Sequence, residues 1–341
     1  MKNQLTNLTI VITGASSGIG KALALEAAKQ GANLVLIARS EKNLKELAEK
    51  CNEFGKAFGT KTLAFPGDIT NSRTSHVAAE KAIKEFGKLD VWINNAGVAL
   101  YAKFERTPLE SFQRVIETNF LGCVYGSKAA LPHFKMQNYG TLINFSSVIG
   151  GAPQPYSSAY VASKYAIRGF SGCLRMELEL DGLHDVHVCT VMPAAIDTPI
   201  FQHSANYTGW PLKPLDPVYS TDKVVSSIVN LINHPKQEIV VGEVGNLILG
   251  QNALAPGFYE KTMAKTIEKE QFHKEHSARH TEGNLFEPSP DAKLNHANVS
   301  GSWPHTGEIA DNVERFNNVL KQLVLKETLK KGEKNQRKDK R

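Results

Sequence analysis

Cysteine is scarce in this chain of 341 residues, and the few present stand apart. Cys51, Cys123, Cys173 and Cys189 form no C-x-x-C pair, which argues against a disulfide framework or a thiolate zinc site and suits a reducing compartment. Long apolar runs are missing too. No stretch reaches the roughly 18 uninterrupted apolar residues of a membrane span. The opening MKNQLTNLTIVITG enters a strand pattern without a signal-peptide apolar region. A cytoplasmic location is the expectation. Nor does the body carry charge of one sign. The formal net charge is +6, and most of it falls in residues 326–341, where eight Lys/Arg stand against Glu327, Glu333 and Asp339. With the rest near neutral, no nucleic-acid partner is expected. No internal repeat is visible.

What the sequence does have is alternation. Short apolar runs at 8–13, 33–38, 61–66, 89–94, 140–146, 186–191 and 238–242 alternate with amphipathic segments of helical length, such as GKALALEAAKQG and EKNLKELAEKCNEFG. Strands apolar on both faces and separated by helices imply a parallel sheet covered on both sides. The expected fold is α/β: a doubly wound, Rossmann-type parallel sheet of seven strands. This rhythm stops near residue 245. The expected organisation is therefore a nucleotide-binding and catalytic domain over 1–245, a helical and irregular extension over 246–330, and a basic disordered tail over 331–341. Within the extension, the segment from 244 to 270 reads as helix broken near Pro256-Gly257. Ile309, Val313, Phe316, Leu320 and Leu323 form one apolar helical stripe.

The segment TIVITGASSGIGKALA reads as strand, glycine-rich turn and helix. Gly14, Gly18 and Gly20 let backbone approach a pyrophosphate, whose charge would sit on a helix N-terminus. The second strand should end at the adenosine ribose. An acidic residue there would bind the 2′-hydroxyl; the chain has Ala38, then Arg39 and Ser40. A guanidinium grips phosphate in bidentate fashion, so NADP(H) is expected over NAD(H). Asp68, after the third strand, should face the adenine edge. In INNAG, Asn94 should hold strands together through backbone bonds, and Gly97 should allow close approach to the cofactor.

The stretch SSVIGGAPQPYSSAYVASKYA (146–166) carries three tyrosines and one lysine. Tyr160 and Lys164, four apart, share one face of a helix. Tyr156 lies in a Pro- and Ser-rich loop, and Tyr165 points elsewhere. A lysine cation one helical turn from a phenol, with a positive nicotinamide, favours phenolate and lowers the tyrosine pKa from its usual value near 10.

Together these motifs resemble the short-chain dehydrogenase/reductase family: TGASSGIG (13–20), NNAG (94–97), Asn119 in ETNFLG, NFSSVIG (144–150), and Tyr160-x-x-x-Lys164. The likeness covers about residues 5 to 245. It implies Tyr160 as acid/base, Ser147 holding the substrate oxygen, Lys164 tuning Tyr160, and Asn119 completing a proton path through water. Ser146, pointing to the opposite strand face from Ser147, is expected to serve packing or backbone. The cofactor contacts expected on this basis are Gly14, Ser16, Ser17, Gly18, Ile19, Gly20, Arg39, Ser40, Asp68, Ile69, Asn95, Ala96 and Gly97. Tyr160, Lys164, Pro193, Ile196 and Thr198 complete the set. One departure is Ala194, where the family commonly has glycine after Pro193; alanine costs little unless the position needs positive φ.

The expected activity is NADP(H)-dependent carbonyl–alcohol interconversion on a small molecule. The rivals are a redox sensor that binds NADP(H) without turnover and an epimerase or dehydratase on the same scaffold. Residues 199–219 should form a lid, with Phe201, Tyr207, Trp210 and Leu212 making it apolar and the substrate partly hydrophobic. His273, His276 and His280 share a helical face by spacing, but Lys274, Glu275 and Arg279 favour a solvated face, and no metal is expected. The apolar run NLILGQNALAPGFY could pack on the core, pair subunits, or rest on a lipid surface beside the basic tail; packing is favoured, with peripheral membrane contact kept as a possibility. A homo-oligomer is expected, through helices carrying 108–137 and 158–181.

Overall fold

The computed structural model describes residues 5–289. The apolar runs become β1 (Thr9–Thr13), β2 (Asn33–Ala38), β3 (Thr62–Pro66), β4 (Val91–Asn94), β6 (Gly140–Phe145), β7 (Val186–Pro193) and β9 (Glu238–Val241). These make one parallel sheet in the order β3-β2-β1-β4-β6-β7-β9. Two-residue strands β5 (Leu100–Tyr101) and β8 (Ala205–Asn206) pair apart from it. β1 and β6 are buried along their whole length, as strands covered on both faces must be.

Helices α1 (Gly18–Lys29), α2 (Glu41–Phe54), α3 (Ser72–Phe86), α4 (Leu109–Ile116), α5 (Gly122–Gln137) and α6 (Ser158–Leu180) connect the strands up to β7. The short α7 (Ile200–His203) and α8 (Thr221–Asn233) lead to β9. One core, on the α1 and α8 side, gathers Ile10, Ile12, Leu34, Leu36, Val191 and Ile228; the other, on the α3 and α5 side, gathers Val11, Val35, Trp92, Phe134 and Leu142. Neighbouring residues of β1 and β2 thus serve opposite faces. The strand order reverses direction between β1 and β4. In such sheets the crevice beyond the strand C-termini at that point is where ligands bind.

Asn94 holds the sheet's centre through its side chain as well as through its place opposite Asn144 in the β4–β6 ladder. Its amide donates to Asn144 Oδ1 (2.9 Å), Ser127 Oγ (3.3 Å) and the Cys123 carbonyl (3.2 Å), and its oxygen accepts from Trp92 Nε1 (2.8 Å). A buried amide must be satisfied on every side, and here the partners come from β4, β6 and α5 together.

Beyond β9, α9 (Glu243–Leu254) and α10 (Pro256–Glu270) meet at Ala255, the break expected near Pro256. The expected boundary at 245 falls inside α9, whose Val244 belongs to the first core. Tyr259 donates to the Pro153 carbonyl (3.0 Å) and Asn252 to the Gly151 carbonyl (2.9 Å), so the apolar run packs onto the loop after β6.

The helical face expected for His273, His276 and His280 does not form. The helix ends at Glu270, and the chain then pairs with β8 and the segment after it: Leu212 with Phe272, and Asn206 with Thr281. The His273 N–H goes to the Pro211 carbonyl (3.0 Å). Backbone pairing with a distant segment overrides a spacing that no apolar stripe supports. The Ile309–Leu323 stripe and the basic tail lie outside the described residues. Among the described residues no helix is long and apolar enough to cross a membrane.

Candidate active site

A cavity of about 580 Å³ opens at the switch point, within the size range of small-molecule sites. Of the expected site residues, all but Gly20 and Asn119 line it. Its floor is made where two loops are stitched together. Thr13 Oγ1 accepts from the backbone N–H of Asn95 (3.0 Å) and Ala96 (3.1 Å), and the Asn95 amide donates to the carbonyls of Thr13 (2.9 Å) and Gly14 (3.2 Å). This stitching explains two glycines. A Cβ at Gly14 would lie 2.6 Å from Ala96 Cα, and one at Gly20 would lie 2.5 Å from the Gly14 oxygen. Both glycines permit close approach of the protein's own backbone.

The N-terminus of α1 fits an anion. Ser17 caps it with extended backbone but no side-chain bond, and the first turn holds no acidic residue. The first N–H groups of a helix have no partners within it, and Ser16, Ser17, Gly18 and Ile19 line the cavity here. A pyrophosphate suits this donor set.

At the other end stand the residues of the β6–α6 connection. Ser147, at the end of β6, donates to the Pro193 carbonyl (3.3 Å). Ser146 turns away and donates to the Lys164 carbonyl (2.8 Å). Lys164 is buried; its ammonium donates to the Phe145 carbonyl (2.8 Å) and sits 5.4 Å from the centre of the Tyr160 ring. Desolvation lowers Lys164 to about 8. Desolvation pushes the Tyr160 phenol up to about 12, opposite to the direction expected from the sequence. In the protein without cofactor, burial outweighs the neighbouring cation.

Asn119 lies in a five-residue π turn, Glu117–Leu121, between α4 and α5. Its side chain is fully used: Oδ1 accepts from the Val98 N–H (2.8 Å), and Nδ2 donates to the Val98 carbonyl (3.0 Å) and Ser163 Oγ (3.0 Å). Ser163 in turn donates to the Tyr160 carbonyl (2.7 Å). The side chain therefore ties the β4 loop to α6. Ser163 was not singled out from the sequence, where it is one serine among several.

A Cβ added at Gly97 would meet Asn119 Oδ1 and Lys164 Nζ at 3.5 and 3.7 Å, ordinary contact distances. Ala194 is absent from the residues with positive φ, so alanine fits there without strain. Thr198 Oγ1 donates to the Ile196 carbonyl (3.4 Å), and Ile196 pairs with Tyr219.

At the end of the cavity beside β2 and β3 the extension meets the site. Arg39 points its guanidinium at three backbone carbonyls of the extension: Nη1 at Leu285 (3.0 Å) and Phe286 (2.9 Å), Nη2 at Asn284 (2.6 Å). Ser40 caps α2 through the Asn43 N–H (3.4 Å). Asp68 does not project freely toward an adenine. Its carboxylate accepts from the Thr70 N–H (3.0 Å) and hydroxyl (2.9 Å), and from Arg114 of α4. Burial works to raise this carboxyl, but those bonds outweigh it and hold it below the ordinary value. Arg114, which also donates to the Leu285 carbonyl (3.0 Å), carried no signal in the sequence.

The expected lid is partly built into the fold. Phe201 faces the cavity and packs near Tyr101, with ring centres 6.4 Å apart. Tyr207, Trp210 and Leu212 do not line it: Tyr207 bonds Ser111 (3.0 Å), and Trp210 and Leu212 pack with Phe272 of the extension. Tyr156 adopts φ +64° and bonds Glu268, well apart from the role of Tyr160. The remaining wall comes from Tyr101, Val148, Ile149, Leu215, Ile248 and Met263, of which the last two belong to α9 and α10.

Comparison with known proteins agrees with this geometry. Residues 8–207 match the family described as short chain dehydrogenase. The chain is 34% identical over 278 residues to the uncharacterized oxidoreductase YxnA of Bacillus subtilis (strain 168), covering 81% of this chain and 76% of that protein. It is 36% identical over 203 residues to dehydrogenase/reductase SDR family member 7 of Mus musculus, 59% of either chain. Among solved structures, an alcohol dehydrogenase from the archaeon Thermococcus sibiricus, complexed with 5-hydroxy-NADP, superposes with a TM-score of 0.60. It shares 26% identity, over 69% of this chain and 95% of that one. The chain belongs to the short-chain dehydrogenase/reductase family of oxidoreductases.

Proposed function

We propose that this protein is an NADP(H)-dependent oxidoreductase that interconverts a partly hydrophobic carbonyl compound and its alcohol. The observation that carries the reading is one cavity in which Ser147, Tyr160 and Lys164 share space with the open N-terminus of α1 and with Arg39. A bound nicotinamide supplies the hydride. The protein's own groups handle the oxygen. Near pH 7 a phenol held at about 12 keeps its proton, which is the state needed to protonate a carbonyl oxygen as it gains charge. Lys164, at about 8, is largely cationic near that pH and steadies the phenolate left behind. Ser147 can exchange the Pro193 carbonyl for the substrate oxygen as its acceptor.

The NADP(H) preference rests on Arg39, with support from the 5-hydroxy-NADP bound by the archaeal alcohol dehydrogenase. Asp68, the nearby acid, is neutralised by Arg114 and so would not repel a 2′-phosphate. The apolar side chains of the wall favour a substrate with a hydrocarbon body.

The test is NADPH oxidation by the purified protein across aldehydes, ketones and quinones of increasing apolar size. Turnover that improves with apolar size is the expected result. NADPH binding without turnover of any compound would instead identify a sensor, and cofactor returned unchanged from a rearranged substrate would identify an epimerase or dehydratase.

A further inference from the structure

We propose that residues Asn284–Phe286 form a positioning strap that holds Arg39 ready for the 2′-phosphate of NADP(H), making the extension a determinant of cofactor choice. This inference rests on the NADP(H) reading above. Arg39 follows β2 and lines the cavity, yet among the described residues it makes no ion pair. Its three bonds all go to neutral carbonyls. No described carboxylate reaches it within ion-pair distance, and Asp68 and Glu287 act on its charge only from farther off. The acid beside it, Asp68, is occupied by Arg114 and Thr70.

The bonds also leave donors to spare. With both Nη1 hydrogens and one on Nη2 engaged, Nε–H and a second Nη2–H remain. Those are groups of the kind that grip two oxygens of one phosphate. A long arginine side chain ordered before binding loses less freedom when the anion arrives.

The strap is itself anchored. Thr281 and Asn206 exchange backbone bonds of 3.0 and 2.8 Å, and the Asn284 N–H donates to the His203 carbonyl (2.8 Å). Leu285 is wholly buried beside Val98, Val115 and Ala159. Gly283 has φ +53°, and a Cβ there would fall 2.2 Å from the His203 oxygen. Only glycine lets the chain pass at this point. The Leu285 carbonyl accepts from both Arg39 and Arg114, so one peptide group fixes the cation that meets the phosphate and the cation that neutralises Asp68.

The test uses the full chain and two strap variants, Gly283→Ala and Leu285→Ala, each checked for folding by circular dichroism. Dissociation constants for NADPH and NADH are measured by calorimetry, with Arg39→Ala in parallel. The expected result is that a folded strap variant binds NADPH about tenfold more weakly while NADH changes less than about twofold, in the direction of Arg39→Ala. Equal weakening of both cofactors, no change in either, or tighter NADPH binding would overturn the strap. If Arg39→Ala itself leaves the NADPH-to-NADH ratio unchanged, the NADP(H) reading fails instead. Should Gly283→Ala not fold, Leu285→Ala decides the matter, because it loosens the anchor without a backbone clash.

Discussion

The two ends of the cavity are built in opposite ways. At the catalytic end, Ser147, Tyr160 and Lys164 come from one stretch of chain, and their partners, Phe145 and Pro193, lie at the ends of adjacent strands β6 and β7. At the other end, proposed to take the adenosine, Arg39 is held by residues some 246 positions away, and Asp68 by Arg114. Burial dominates the first end: it displaces both Tyr160 and Lys164 toward their neutral forms. Pairing dominates the second, where the Asp68 carboxyl is kept ionised. At the first end Lys164 is buried, while Tyr160 and Ser147 line the cavity and are only partly buried. The adenosine end is a charged site whose geometry is set by distant chain. Changes at the first should alter rate, and changes at the second should alter affinity.

The largest effect should come from Tyr160→Phe. Removing the proposed proton donor should lower kcat for carbonyl reduction by roughly 10²–10⁴, the range for general acid catalysis. NADPH affinity should stay within about twofold by fluorescence titration. A variant that kept its kcat and lost NADPH affinity would break the division between the two ends.

Gly14→Ala tests the floor that both ends share. The added Cβ would meet Ala96 Cα at 2.6 Å with φ at +67°. Because backbone rather than a flexible side chain stands in the way, the cost should be about 1–3 kcal/mol of stability in urea unfolding. Cofactor binding and turnover should both fall. A neutral Gly14→Ala would mean that the two loops can separate freely.

At the adenosine end, Arg114→Ala would leave the Asp68 carboxylate without its cation beside the position assigned to the 2′-phosphate. NADPH affinity should drop on the order of tenfold and NADH affinity much less, an effect consistent with one repulsive charge at partial burial. Asp68→Asn in the same variant should restore most of the loss. No rescue would assign the effect of Arg114 to its Leu285 bond rather than to charge.

The same contrast explains what could be read from the sequence. Buried parallel strands appear as apolar runs, so all seven were placed to within about two residues, and β7 merely runs on to Pro193. The Tyr160–Lys164 pair was legible because helical period and side-chain direction are local properties. β5 and β8 were not legible: a two-residue strand exists only through its partner. The His273–His280 spacing misled for the same reason, since pairing of Phe272 with Leu212 decides the backbone there. The Arg39 clamp uses backbone carbonyls, which leave no mark in side-chain identity. Spacing reveals a cation near Tyr160 but not the burial that, without a nicotinamide beside it, pushes the phenol up to about 12.

The smallest effect concerns stability against pH, and it tests how completely Lys164 is kept from water. Lys164 titrates at about 8 when folded, against 10.5 for its ordinary value, because burial disfavours the ammonium. Below about pH 8 both folded and unfolded chains hold the proton, and the folded protein bears the cost of a buried cation. Between these two values the unfolded chain binds more protons, so the free energy of unfolding contributed by this group rises with pH. Tyr160 works the other way, but only above its ordinary value of 10, where the folded state retains a proton that the unfolded state loses. Cys123, raised by burial to about 12 from 9.0, also opposes the trend above pH 9. Cys123 interacts with Lys164 and would not cancel in a Lys164→Met comparison above pH 9, so urea unfolding of wild type and variant is compared at pH 7.5, 8.2 and 8.9. The stability of the wild type relative to the variant should climb across the series. A flat difference would show that water reaches the ammonium, and the catalytic end would then resemble the adenosine end, with solvent and pairing rather than burial setting the charge of its lysine.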